Sequence, residues 1–298
     1  MKKQSFDFEK GPLFRITIHH LSDNLFNIGL AFHHAILDGW SVATFITTLL
    51  LIYSDLLKGK FTALSFNGDY RKFIELEVAA VSSKDQERFW KNYLDGFEHT
   101  EIPRWYGDQF NDNDFMTHPA IFDKTLTTKL IELSKKLNVA LDVILLTALV
   151  KLLSIITSSE EVLTGVVFNG RPAIPNIENT LGLFLNTLPF RQKLIKGSWK
   201  DLILAVSSQK SEIYPYRRYP LMQIQKDVKS NQLFNIIFYF TNFYVYDNAR
   251  QSGPVKIVDQ FFYERTNFPL TFNCSLDATQ NNLRLFINYE TQYYSHAQ

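Results

Sequence analysis

The chain has 298 residues, 46% hydrophobic and 15% aromatic, with 31 basic against 30 acidic residues and a formal charge of +1. That apolar content can bury a sizeable core, in one large domain or two lobes, and it excludes disorder; the charge balance argues against nucleic acid or an anionic membrane as the main partner. Cys274 is the only cysteine, which excludes an intrachain disulfide and a cysteine-built zinc site.

Met1 to Asp7 carries two lysines with no apolar core behind them, so no secretion signal is expected. No uninterrupted apolar run of about 18 residues occurs, so no membrane span is expected and the cytoplasm is the expected compartment. There is no repeat at periods of about 20–50 residues.

Gly11-Pro12 opens a first strand, Leu13 to His20, and Ser22-Asp23-Asn24 turns into a second, Phe26 to His34. The pair is predicted as an antiparallel hairpin feeding a helix in which Val42, Phe45, Ile46, Leu49, Leu50 and Tyr53 fall at three- and four-residue spacing, with Ser41 as its cap. Lys58-Gly59-Lys60 ends that helix. A second helical stretch runs from Tyr70 towards Tyr93-Leu94, and an irregular stretch around residues 101–117 sets a division near residue 110. Beyond it a strand at Ala120–Phe122 precedes helices at Thr127–Leu137 and Leu141–Ile156, the latter apolar on most sides and predicted to be central. A buried strand at Val162–Phe168 is followed by Gly182–Pro189, a helix at Asp201–Tyr214, and strands at Phe234–Asn242, Val255–Val258, Leu270–Leu276 and Leu283–Tyr289. The last strands have hairpin-like spacing. The class is α+β with a mixed sheet in each part.

The chemistry gathers at Phe32-His33-His34-Ala35-Ile36-Leu37-Asp38-Gly39-Trp40-Ser41, on a strand-to-helix junction. His19-His20 lacks a following Asp-Gly and is predicted as a pair of solvated turn residues. Successive side chains of a strand face opposite ways, so His33 and His34 should do different jobs, one in a cleft and one holding the turn. Opposite-facing neighbours do not converge on one ion, which argues against a site made of His33, His34 and Asp38. Packed core histidines would account for the local pattern equally well. No Gly-x-Ser-x-Gly occurs and Cys274 lies in a distant strand, so a histidine here would assist a nucleophile supplied by the substrate, as in direct acyl transfer. Asp38 either orients the active histidine or pairs with an arginine to hold the turn.

With the further stretches Phe6 to Arg15, Asp69 to Phe73, Gly165 to Pro172, Leu181 to Arg191, Tyr216 to Leu221 and Leu233 to Asn235, the motif resembles the condensation domain of nonribosomal peptide synthetases. The order and spacing of these stretches span nearly the whole chain. The resemblance implies a chloramphenicol-acetyltransferase-like fold with two lobes in a V, a first lobe over residues 1–110 and a second over 111–298. The family normally begins with a longer amino-terminal segment bearing an Arg-His-x-x-Leu-Arg motif, so the first lobe is expected to be incomplete. The implied reaction forms an amide between an acyl or peptidyl thioester on a donor carrier protein and an aminoacyl thioester on an acceptor carrier protein, beside an adenylation domain. Both substrates would ride on phosphopantetheine arms, with no directly bound cofactor and no metal. The implied catalytic residues are His34, which faces the channel, with His33, Asp38 and Gly39. Arg171 is the implied partner of Asp38, and Trp40, Ser41 and Asn242 are implied along the substrate channel. The resemblance leaves as alternatives a carrier-binding module without catalysis or a truncated inactive fragment, and an acyltransferase acting on a free amine or alcohol.

Overall fold

The structure is a computed structural model describing residues 5–61, 68–103, 115–194, 196–241, 255–259, 261, 263–277 and 282–297. Two compact units emerge, neither contiguous in sequence. The first comprises Met1–Phe73, Arg171–Leu185 and Val245–Ile257; the second comprises Ile74–Gly170, Asn186–Tyr244 and Val258–Gln298. The expected division at residue 110 lies outside the described residues.

In the first unit, β1 (Phe14–Ser22) and β2 (Leu25–Phe32) form an antiparallel hairpin that feeds α1 (Gly39–Leu57). Cross-strand partners share a face, and the register pairs Phe14 with Phe32, Ile16 with Leu30 and Ile18 with Ile28. That face is therefore apolar, while Arg15, Thr17 and His19 occupy the other face of β1. Tyr53 of α1 meets Phe26 edge-on, at 5.6 Å between ring centroids, over the β2 half of the apolar face. The β1 half stays open to solvent, with Phe14, Ile16 and Ile18 exposed at 43, 42 and 67%. A small second cluster forms from Phe73, Ile177 and Phe184, with Tyr70 packed on it.

The second unit is built on a six-stranded sheet. Its strands are β3 (Phe115–Ile121), β4 (Glu161–Asn169), β5 (Leu185–Lys193), β6 (Ile236–Thr241), β7 (Leu270–Asp277) and β8 (Asn282–Glu290), in the order β3-β8-β7-β6-β4-β5. β8 pairs antiparallel with both β3 and β7, whereas β6 runs parallel to β7 and β4. The other helices in chain order are α2 (Arg71–Ser82), α3 (Lys84–Tyr93), α4 (Lys124–Leu137), α5 (Leu141–Thr157), α6 (Trp199–Ile213) and α7 (Leu221–Asp227). The core joins Leu146, Val150 and Leu153 of α5 to Leu163, Leu188 and Phe190 of the sheet and Val206 of α6.

Several expectations change. The stretch from Tyr70 is two helices, because the Ser83 hydroxyl accepts from the Gln86 amide and caps α3 as a separate start. β7 and β8 pair antiparallel as their hairpin-like spacing predicts, whereas β6 runs parallel to β7, and Val255–Val258 joins no strand. The first unit's sheet is a plain antiparallel pair among the described residues, not a mixed sheet. Helix α5 is buried on one broad face only, since Leu152 and Ile155 are exposed. Helix α1, with 19 residues, is long and apolar enough by length and composition to cross a membrane. A search for uninterrupted apolar runs misses it, because Thr44, Thr47, Thr48 and Ser54 break the run without making the helix polar. Core helices of soluble proteins meet the same criterion, and α1 packs here on the hairpin.

Candidate functional site

Strand β2 stops at Phe32, and residues 33–38 turn the chain into α1. The His33 amide donates to the Leu13 carbonyl at 2.8 Å, which ties the start of the turn to the mouth of the hairpin. His33 Nδ1 accepts from the Ala35 amide at 3.0 Å, so a neutral ring carries its proton on Nε2. The same ring stands edge-on to Phe8, 4.6 Å between centroids. His34 is exposed and meets the edge of Phe32 at 5.5 Å. The two imidazoles thus have separate surroundings, but strand parity does not set them, because β2 ends at Phe32, before either histidine. His19 and His20 are both exposed.

Asp38, only 1% exposed, caps α1 by accepting from the Ser41 amide at 2.7 Å. This corrects the expectation that Ser41 is the cap: the helix starts at Gly39, two residues earlier. The second Asp38 oxygen accepts from the Phe184 amide at 3.2 Å, and the Asp38 amide donates to the Gly182 carbonyl at 3.0 Å. Arg171 Nη2 reaches Asp38 Oδ1 at 3.2 Å, forming a pair whose side chains are 8 and 1% exposed. Nη1 of Arg171 donates to the carbonyls of Ile177 and Thr180, and the guanidinium lies 3.8 Å above the Phe184 ring. Burial pushes the Arg171 guanidinium below its ordinary value, and the Asp38 carboxylate pulls it back up. A guanidinium remains charged through such a contest.

Ser41 is fully buried. Its hydroxyl donates to the Gly182 carbonyl at 2.8 Å and accepts from the Gly182 amide at 3.0 Å and from Arg171 Nη2 at 2.8 Å. The Trp40 indole donates to the Glu178 carbonyl at 2.8 Å. Both residues, expected along a channel, hold the 171–185 segment through these bonds. Asn242 lies outside the described residues.

The sequence motif therefore assembles with a strap, Gly182-Leu183-Phe184, whose role in the site its sequence does not announce. Tyr70 completes the grip by donating to the Leu183 carbonyl at 2.7 Å. The close approach needs a glycine: a Cβ on Gly182 would stand 2.3 Å from the Tyr70 ring. Leu181 to Arg191 is visible in the sequence as a motif of the resembling family, but nothing local links it to residues 38–41, more than 140 positions away.

These features define a class, a mixed α/β domain in which a histidine turn is locked by a buried ion pair. Residues 1–298 match the model of the condensation domain, and the chain belongs to that family. It is 27% identical over 304 residues to bacitracin synthase 1 of Bacillus licheniformis, a match covering 96% of this chain and 6% of that protein. The chain spans a small fraction of the length of the curated synthases it matches. Among solved structures, the X-domain from teicoplanin biosynthesis superposes with a TM-score of 0.81 at 15% identity, covering 99% of this chain and 70% of that one. The condensation enzyme VibH gives 0.74 at 19% identity, covering 99% and 69%.

Proposed function

We propose that this domain forms an amide bond between a thioester held by a donor carrier protein and an amine held by an acceptor carrier protein, in a cytoplasmic synthetase that also contains adenylation domains. The observation that carries the reading is the turn itself. Asp38, Arg171 and Ser41 lock the strand-to-helix junction through buried contacts, while His34 at its tip stays exposed.

In the proposed reaction the acceptor's amine nitrogen attacks the thioester carbonyl carbon. A C–N bond forms, the C–S bond breaks, and the phosphopantetheine sulfur leaves as a thiol with the proton lost by the amine. An α-amine has a pKa near 8, so a good share is already neutral at cellular pH and needs little help from a base. His34 accordingly acts by orienting the amine and hydrogen-bonding the tetrahedral intermediate. Gly39, the first residue of α1, presents its amide at the positive end of the helix dipole, suited to the developing oxyanion. His33 holds the turn through Ala35. Asp38 and Arg171 keep the turn aligned, and Ser41 and Trp40 hold the 171–185 segment against it.

The test is a reconstituted assay with loaded donor and acceptor carriers and this domain in its native synthetase context. Condensed product should form and should fall at least 100-fold with His34→Ala. An unchanged yield in the variant rejects the role of His34. Carrier binding without turnover by the wild type would favour a binding module, and turnover with only free amines or alcohols would favour the other acyltransferase reading.

A further inference from the structure

In the second unit the chain makes a tight turn between α6 and α7 that carries two consecutive arginines, Arg217 and Arg218. Their side chains run to the end of β4 and bind two consecutive carbonyls. Arg217 Nε donates to Asn169 at 3.1 Å, and Arg218 Nε donates to Gly170 at 2.9 Å. Arg217 Nη1 donates to the Tyr214 carbonyl at 2.9 Å, and its guanidinium lies 3.9 Å above the Tyr214 ring. Neither arginine has a carboxylate partner among the described residues. Asp227, close by in sequence, accepts from Tyr219 and Gln223, and Glu212 accepts from Gln209.

The turn is also rigidly built. The Asn186 side-chain amide donates to the carbonyls of Arg217 and Tyr219, at 3.0 and 2.8 Å, and its oxygen accepts from the Leu221 amide. Tyr219 is buried at the turn's centre. Two half-buried cations held side by side without an acid repel each other, and a fold that fixes them so firmly keeps them for something that carries the missing charge. Burial chiefly, and the neighbouring Arg217 charge after it, push the Arg218 guanidinium below its ordinary value.

We propose that Arg217 and Arg218 form a binding site for a phosphate group. Among the described residues, both Nη nitrogens of Arg218 and Nη2 of Arg217 keep their donors, and planar forks suit an anion with several oxygens and up to two charges better than a single carboxylate. The Nε bonds to the strand end fix the forks beforehand, so little side-chain order is lost on binding. The phosphate can come from a phosphopantetheine arm or from free phosphate. The site rests on a different cluster of residues in the second unit, and only the phosphopantetheine source rests on the amide-forming reading.

The test follows the melting temperature of the full chain while sodium phosphate is raised at constant ionic strength. A saturable rise should appear that sodium chloride does not reproduce. 4′-Phosphopantetheine should give the same rise, at lower concentration than inorganic phosphate if the arm is the source, and pantetheine without phosphate should not. The double variant R217Q/R218Q, checked for folding by circular dichroism, should lose at least tenfold in apparent affinity. If the double variant does not fold, R218K keeps the charge but removes the fork and should weaken binding at least threefold. Equal effects of phosphate and chloride, equal binding of pantetheine, or unchanged affinity in the folded variant would overturn the proposal.

Discussion

At residue scale, the side chain of Asp38 accepts bonds from Ser41, Phe184 and Arg171 while almost wholly out of water, and Arg171 answers with contacts to Ser41, Ile177, Thr180 and the Phe184 ring. A pair of this kind adds little net stability over an apolar replacement of equal shape, but removing one member leaves a buried charge with no counterpart. Arg171→Ala should therefore cost about 3–5 kcal/mol in urea unfolding. Arg171→Lys, which keeps the charge and loses the fork, should cost clearly less; equal losses would mean that the charge of Arg171 contributes nothing. The ion pair was legible in advance only through family resemblance. Nothing near Asp38 in the sequence distinguishes an arginine brace from a histidine orienter, because the partner is 133 residues away.

At the scale of elements, the strap and the histidine turn behave as one piece because Asp38, Ser41 and Tyr70 hydrogen-bond to Gly182-Leu183-Phe184. Gly182→Ala should push its Cβ into the Tyr70 ring and cost roughly 1–3 kcal/mol by overpacking. A denaturation midpoint equal to that of the wild type would show that Tyr70 swings away freely. Helix α3 offers a pH-dependent counterpart. Lys84 and Lys91 bracket Glu87 at 2.8 and 2.7 Å and hold its carboxyl down at about 2, from an ordinary value of 4.5. A depressed acid stabilises the folded state above its unfolded pKa, and that contribution fades as pH falls from about 4.5 to about 2. The carboxyl resonance of Glu87 should titrate near that lower value in dilute buffer and move upward in 1 M salt, about where the Debye length shrinks to 3 Å. No movement with salt would argue against a lysine-held carboxylate.

At the scale of the whole molecule, α1 meets the apolar face of the β1–β2 hairpin at Phe26, and Phe14, Ile16 and Ile18 of β1 remain exposed. Exposed apolar side chains gathered on one strand invite contact with other chains. Ile18→Lys should lower light scattering of the concentrated chain while changing stability by less than about 0.5 kcal/mol. Unchanged scattering would place the association elsewhere, and a large loss of stability would mean that Ile18 is packed.

By itself the sequence determined the elements with strong local period and the ordered motifs. The hairpin, α1, α4, α5 and α6 follow from apolar spacing and turn residues, because those signals act over a few positions. The family likewise follows from motifs in order. Only the tertiary structure decided what those motifs grip. That Asp38 rather than Ser41 starts the helix, that Ser41 and Trp40 hold a distant strap, and that β6 lies parallel to β7 all depend on partners far along the chain. Local propensity has no access to such contacts, since their free energy exists only once the chain has closed the intervening loops.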